Sequence, residues 1–300
     1  MGFSIVARRR GVAATSNAVP FVDMHTHLGQ EWGARAPLSV SDLLHWMDAR
    51  GIEAAVVLPL VSPEAYDYPV SVDYVLKQTK PHRDRLIPFC VVDPRTLDLS
   101  AEGKRDLLRR YRDAGARGFG EHKPGVAIDD PRNLALYEAC AELQLPVLFH
   151  MDNQRNWDKP GLPGLEKVLK AFPTLTFIGH APGWWANISG DCTQEDMDAY
   201  PNRPVTPGGA IDRLMDQYPN LYAELSAGSG ANALRRDLTF AAGFLERRQD
   251  RICFGTDYLA KGQEVPQFEI LAVLSPHLSD AARRKICRDN ACSLLHIRGG

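Results

Sequence analysis

Two histidines two positions apart, His25 and His27, close the short apolar run FVDMH and its immediate continuation THLG. On a strand, residues i and i+2 face the same way, so both imidazoles can meet one cation. Asp23 shares that parity but lies deeper, where it braces the histidines. Further metal-type side chains end later apolar runs: Glu121 in ARGFGE, His150 in LPVLFH, His180 in LTFIGH and Asp257 in RICFGTD. Four of the nine histidines therefore stand at the ends of β-rich runs. Neutral imidazoles and carboxylates suit Zn²⁺ and related divalent ions, and a catalytic centre keeps one position open for water. Such an ion brings the pKa of its water towards about 7, and a carboxylate such as Asp257 can take the proton and return it to the leaving group. Singly, each residue has a plainer use as a strand-end turn, a packed histidine or a helix N-cap. Their combination points to a metal site.

The elements that must position these groups alternate. Eight β-rich runs, FVDMH, EAAVVLP, RLIPFCVVD, ARGFGE, LPVLFH, LTFIGH, LYAELS and RICFGTD, are separated by helical patterns such as SVSDLLHWMDARG and PRNLALYEACAELQ. Ser41 and Asp42 suit the first helix start, Gly51 and Gly115 suit helix ends, and Pro131 suits a first helical position. Runs that are apolar throughout indicate a parallel sheet covered on both faces. Closing eight units gives an α/β fold, a (β/α)8 TIM barrel, with catalytic groups at the C-terminal strand ends. An open doubly wound sheet is the rival, but no glycine-rich phosphate loop follows the first run. Glu121, His150 and His180 are spaced about one βα unit apart, so they come from successive staves. After the eighth run, VPQFEILAVL reads as the last barrel helix and SDAARRKICRDNACSLLHI as a C-terminal helical extension. The longest unpatterned stretch, residues 181–205, reads as a functional or disordered loop.

Length 300, with 44% hydrophobic and 24% charged residues, fits one large barrel domain over residues 20–300 after a flexible lead-in over residues 1–19. A formal net charge of -2 gives no electrostatic footprint for nucleic acid or an anionic membrane. The six cysteines form no CxxC pair and read as reduced thiols in a cytoplasmic protein. The triple arginine near the N-terminus precedes a segment too short and polar for an export signal, and no run is long enough to span a membrane.

The motifs DMHTHLG, LFHMD, IGHAPG, FGTDY and the terminal KICRDNACSLL together resemble the amidohydrolase superfamily. They are most similar to its amidohydrolase-related branch, which includes aminocarboxymuconate-semialdehyde decarboxylase-like enzymes. The resemblance runs from about Val22 to Ile297. It implies a metal held by His25, His27 and Asp257 with His150 as a further ligand. In single-metal members His180 is free to polarise the substrate. In two-metal members His150 and His180 hold the second ion, and a strand 4 carboxylated lysine or glutamate bridges the pair. The segment GFGEHKPG departs from the single-metal pattern. It leaves three uses open: Glu121 as ligand or bridge, Lys123 as bridge or contact for a substrate carboxylate, or a structural ion pair between them.

The rim loops supply candidate substrate contacts. Arg155 and Trp157, with Asn153, follow the fifth run, Trp184, Trp185 and Arg203 follow the sixth, and Trp32 and Arg35 follow the first. Aromatic walls with a few cationic groups suit a planar or carboxylated small molecule. The same tryptophans equally suit packing of loops onto the barrel or a subunit interface. The first functional expectation is a metal-dependent hydrolase that cleaves a C–O or C–N bond of a small ester, lactone or amide, using one or two divalent ions, Zn²⁺ or else Mn²⁺ or Fe²⁺. The alternative is a metal-dependent non-oxidative decarboxylase of a small carboxylic acid. A ligand-binding barrel without turnover is disfavoured, because every expected metal position is filled. The expected partner is a small-molecule substrate, without nucleic acid or membrane. A homo-oligomer is compatible with the chain, although no stretch marks an interface.

Overall fold

In a computed structural model, described for residues 19–33, 35–96 and 100–297, eight parallel strands form a (β/α)8 barrel. The strands are β1 Phe21–Thr26, β2 Ile52–Val57, β3 Leu86–Pro88, β4 Phe119–His122, β5 Val147–His150, β6 Phe177–His180, β7 Leu221–Glu224 and β8 Ile252–Cys253. Regular pairing gives one sheet of β1–β2–β3 and another of β4 to β8. Two seams join them into a ring. At one, Gly120 N donates to Cys90 O at 2.8 Å. At the other, Met24 N donates to Phe254 O at 3.0 Å and Thr26 bridges Tyr258 in parallel.

The helices are α1 Val40–Asp48, α2 Val72–Thr79, α3 Ala101–Asp113, α4 Pro131–Leu143, α5 Pro163–Ala171, α6 Pro182–Ala186, α7 Ala210–Gln217, α8 Ala227–Arg235, α9 Leu238–Arg248, α10 Gln267–Leu274, α11 Asp280–Arg284 and α12 Asn290–Leu295. A π turn, Lys285–Asp289, links α11 to α12. The cap of α1 is Ser39, not Ser41 or Asp42. Ser39 accepts from Asp42 N and Asp42 accepts back from Ser39, a capping box that sets the start two residues earlier. Pro131 does open α4. The lead-in expected over residues 1–19 lies, except for Val19, outside the described residues.

The barrel interior is a layer of Val22, Met24, Val56, Ile87, Leu148, Ile178 and Cys253, closed at its N-terminal end by Ala291, Cys292 and Leu295 of α12. The extension is tied on by backbone as well, since Phe254 N donates to Ile286 O at 2.8 Å. Among the described residues no helix is long and apolar enough to cross a membrane.

Two strands are irregular where the chemistry-bearing residues begin. The β1–β2 register shifts between Asp23 and Thr26, and the β4–β5 register shifts between Phe119 and His122. Such bulges re-aim side chains. In β1, Val22 and Met24 face the interior, yet His25 does so too, so the parity expected to unite Asp23 with His25 is broken. Asp23 points into the β1–β8 seam, where it accepts from Thr256 Oγ1 at 2.6 Å and Thr256 N at 3.0 Å, and it braces His25 as expected by accepting from His25 N at 3.0 Å. In β4, Gly120 has φ +155°, and a Cβ there would meet Leu148 O at 2.6 Å. The missing side chain lets β4 press against β5 and presents Glu121 to the mouth.

Candidate metal centre

All six expected ligands come together at the C-terminal mouth. Around one point, His25 Nε2 lies 3.1 Å from His27 Nε2, 3.5 Å from Asp257 Oδ1 and 3.8 Å from Glu121 Oε2. His27 Nε2 lies 3.4 Å from Asp257 Oδ1 and 3.7 Å from Glu121 Oε2. Around a second point, Glu121 Oε1 lies 2.8 Å from His150 Nδ1 and 3.6 Å from His180 Nε2. The Glu121 carboxylate thus gives one oxygen to each histidine pair.

The outward nitrogens of the histidines are pinned by acceptors. His25 Nδ1 lies 3.0 Å and His180 Nδ1 2.6 Å from the same atom, Glu224 Oε1. His27 Nδ1 donates to Leu58 O at 3.0 Å and has Glu31 Oε1 at 3.2 Å. His150 Nε2 lies 2.9 Å from Asp152 Oδ2. Protons held outward leave bare nitrogens facing the carboxylates of Glu121 and Asp257, a cluster of acceptors in which Lys123, beside Glu121 at 3.3 Å, is the one donor among the described residues. Cations supply what such a cluster lacks, and neutral imidazole with carboxylate is a donor set for divalent ions. The edges of 3.1–3.8 Å around the first point also agree with the roughly 3.3–3.4 Å implied by tetrahedral bonds of about 2.0–2.1 Å. The residues present therefore fit one or two divalent ions.

Electrostatics separate the carboxylates. Burial alone would raise the Glu224 carboxyl, but His180 and His25 against it bring it down to about 2. Burial likewise opposes ionisation of Asp257 and Glu121, and their histidine neighbours, with Lys123 beside Glu121, hold both well below the usual range. Glu31 is pushed up to about 7, chiefly by burial. Asp257 is the most open of the six, with its side chain 22% exposed against 11% or less for the others. It sits four residues beyond β8 with φ +58°, a left-handed backbone that is costly outside glycine and is fixed here by Asp257 N donating to His25 O at 2.8 Å.

Above the centre is a cavity of about 450 Å³ lined in part by Lys123, His150, Arg155, His180, Tyr200 and Asp257. A larger cavity of about 650 Å³ lies beside Phe21 at the opposite end of β1, away from these groups. Lys123 Nζ reaches Glu121 at 3.3 Å, whereas His122 turns out of the barrel to Asn133 of α4 at 2.9 Å. Arg155 spans Asp152 Oδ2 at 2.6 Å and Glu64 O at 2.7 Å.

Two expected substrate contacts are misplaced. Trp184 is fully buried, edge-on to Phe149 at 5.8 Å, because its indole fills the space that a Cβ on Gly179 would occupy. Trp157 is 45% exposed and does not line the mouth. Trp185 is also core, and Arg203 is consumed by Asp191 and Asp196 at 2.9 and 2.5 Å, which ties the long β6 loop into an ordered structure. Asn153 accordingly binds Gln194 O of that loop. Arg35 is exposed, and Trp32 lines the mouth. Sequence reasoning missed Glu224, Glu31, Asp152 and Tyr200. Of these, Glu224 left a signal as a charged residue closing the apolar run LYAE, and Asp152 as the last residue of LFHMD, two positions past His150.

Several solved structures share this architecture. A TIM-barrel protein of Bordetella bronchiseptica is 18% identical, with 92% of this chain and 98% of that one covered at a TM-score of 0.65. A protein assigned as 2-pyrone-4,6-dicarboxylic acid hydrolase from Pseudomonas putida is 15% identical over 94% of this chain and 100% of its own, with TM-score 0.63. A 2,6-dihydroxybenzoate decarboxylase from Rhizobium is 17% identical over 94% and 100%, with TM-score 0.56. No curated protein matches the sequence significantly. Residues 22–297, which carry the barrel and all six clustered side chains, match the amidohydrolase family, and the chain is an enzyme of that family.

Proposed function

We propose that the protein is a metal-dependent hydrolase of a small ester, lactone or amide. The observation that carries this reading is the division of Glu121 between the His25–His27 pair and the His150–His180 pair. His25, His27, Glu121 and Asp257 would hold one divalent ion, Zn²⁺ by its donor set, and Glu121, His150 and His180 a second. Bound there, the ions supply Lewis acidity and lower the pKa of water in contact with them. Asp257, open to the mouth, takes a proton from the attacking water and returns it to the leaving group. His180, held by Glu224 at Nδ1, keeps Nε2 aimed at the second ion's position, where its fixed orientation would align that ion with the carbonyl oxygen as charge develops. Lys123 and Arg155 give the cavity its positive side.

Decarboxylation is a reaction of other proteins with this barrel, and it would use His180 and Asp257 for proton management. It gives the divided Glu121 no role, so hydrolysis is preferred. The test is turnover by metal-loaded protein of a panel of lactones, esters, amides and aromatic carboxylic acids in ¹⁸O-water. One ¹⁸O atom in a product carboxylate is expected. Release of CO₂ without label incorporation would replace hydrolysis with decarboxylation.

A further inference from the structure

The wall of the mouth contributed by α8 contains polar groups that nothing among the described residues satisfies. Ser226, the N-cap of this nine-residue helix, does not cap it. Its hydroxyl is turned inward, 2.8 Å from Glu224 Oε1 and 2.9 Å from His180 Nδ1. Ala227 N donates to Thr256 O at 3.4 Å, so the first-turn N–H groups left without a cap are those of Gly228 and Ser229, at the edge of the cavity that Ala227 and Ser229 line. Ser229 is 2% exposed, and its buried hydroxyl has no partner among the described residues. Two turns on, along the same face, Arg236 buries Nε, Nη1 and Nη2 with no hydrogen-bond partner among the described residues. The nearby acids Asp191 and Asp196 are engaged by Arg203. Ser229 and Arg236 together line a small cavity of about 10 Å³, room for one water at most, that shares Pro182, Tyr200 and Ser229 with the mouth.

Unpartnered donors of this kind are costly unless an acceptor completes them. Here every group is a donor or carries positive charge: helix N–H groups, a hydroxyl and a guanidinium. The acceptor they lack is an anion.

We propose that the first turn of α8, with Ser229 in contact and Arg236 behind it, is a subsite for a carboxylate of the substrate. The Ser229 hydroxyl and the N–H groups bind the carboxylate in the mouth, and Arg236 balances its charge through the water-sized cavity. This rests on the proposed function only in placing the substrate in that mouth. A substrate that presents its reacting carbonyl to the metal centre would then carry a second, free carboxylate. That makes the substrate class an ester, lactone or amide of a dicarboxylic acid.

Calorimetric binding to the metal-loaded protein tests this without turnover, so its outcome is separate from that of the labelling experiment. The probes are unreactive dicarboxylates from succinate to pimelate and monocarboxylates of equal length. The wild type is expected to favour its best dicarboxylate by about tenfold or more, as charge-assisted bonds would give. Ser229→Ala and Arg236→Gln should each reduce that preference at unchanged metal content and unchanged monocarboxylate affinity. A wild type with no preference, or a preference that survives both substitutions, would overturn the subsite. Ser229→Ala removes only a hydroxyl, so it keeps the test decisive even where Arg236→Gln fails to fold.

Discussion

His25 turns its Nδ1 onto Glu224 Oε1 at 3.0 Å, which leaves Nε2 as the atom that faces the centre of the mouth. The same carboxylate oxygen holds His180, so one buried residue on β7 orients a ligand from each histidine pair. Outer partners of this kind typically contribute tenfold to a hundredfold in metal affinity. Glu224→Ala should therefore weaken metal retention by about 10–100-fold, read by competition with a chelator. Unchanged retention would show that packing alone orients the rings.

Asp257 combines exposure to the cavity with contact to both β1 histidines. Replacing it by Asn keeps a side-chain oxygen for the ion but removes the proton acceptor. Turnover should fall by about 10²–10⁴-fold, the usual contribution of a general base, with metal content largely kept. Steady-state rates beside elemental analysis check this. Loss of metal in proportion to activity would assign Asp257 to ligation alone.

Trp184 is a core residue, so its removal should damage stability and not selectivity. Trp184→Ala is expected to cost about 3–5 kcal/mol in chemical denaturation, since a large cavity opens against Phe149 and Gly179. The ranking of substrates by the folded variant should match the wild type. A changed ranking with full stability would return Trp184 to the mouth.

Much of the site is legible in the sequence because a barrel stave ends where an apolar run ends. His150 and His180 sit opposite each other in register on β5 and β6, as that rule requires. Other features depend on partners far along the chain. Nothing near Trp184 says that Gly179 has vacated its space, and nothing near Arg203 says that Asp191 and Asp196 will claim it. The helix α8, AGSGANALR, is poor in strong helix formers beyond its alanines and is stabilised by packing, so its pattern is faint. The shifts in β1 and β4 are equally hidden, because parity counted along a strand fails at a bulge. Glu224 escaped notice for a different reason: it binds no substrate and acts through two histidines that are 155 residues apart in the chain.

The central claim is that Glu121 joins two cation sites. Metal content per chain, measured by elemental analysis on purified wild type and on Glu121→Ala, tests it most directly. Two ions in the wild type, falling to one or none in the variant, is the predicted result. A single ion unaffected by the substitution, or no metal even after supplementation, would contradict it.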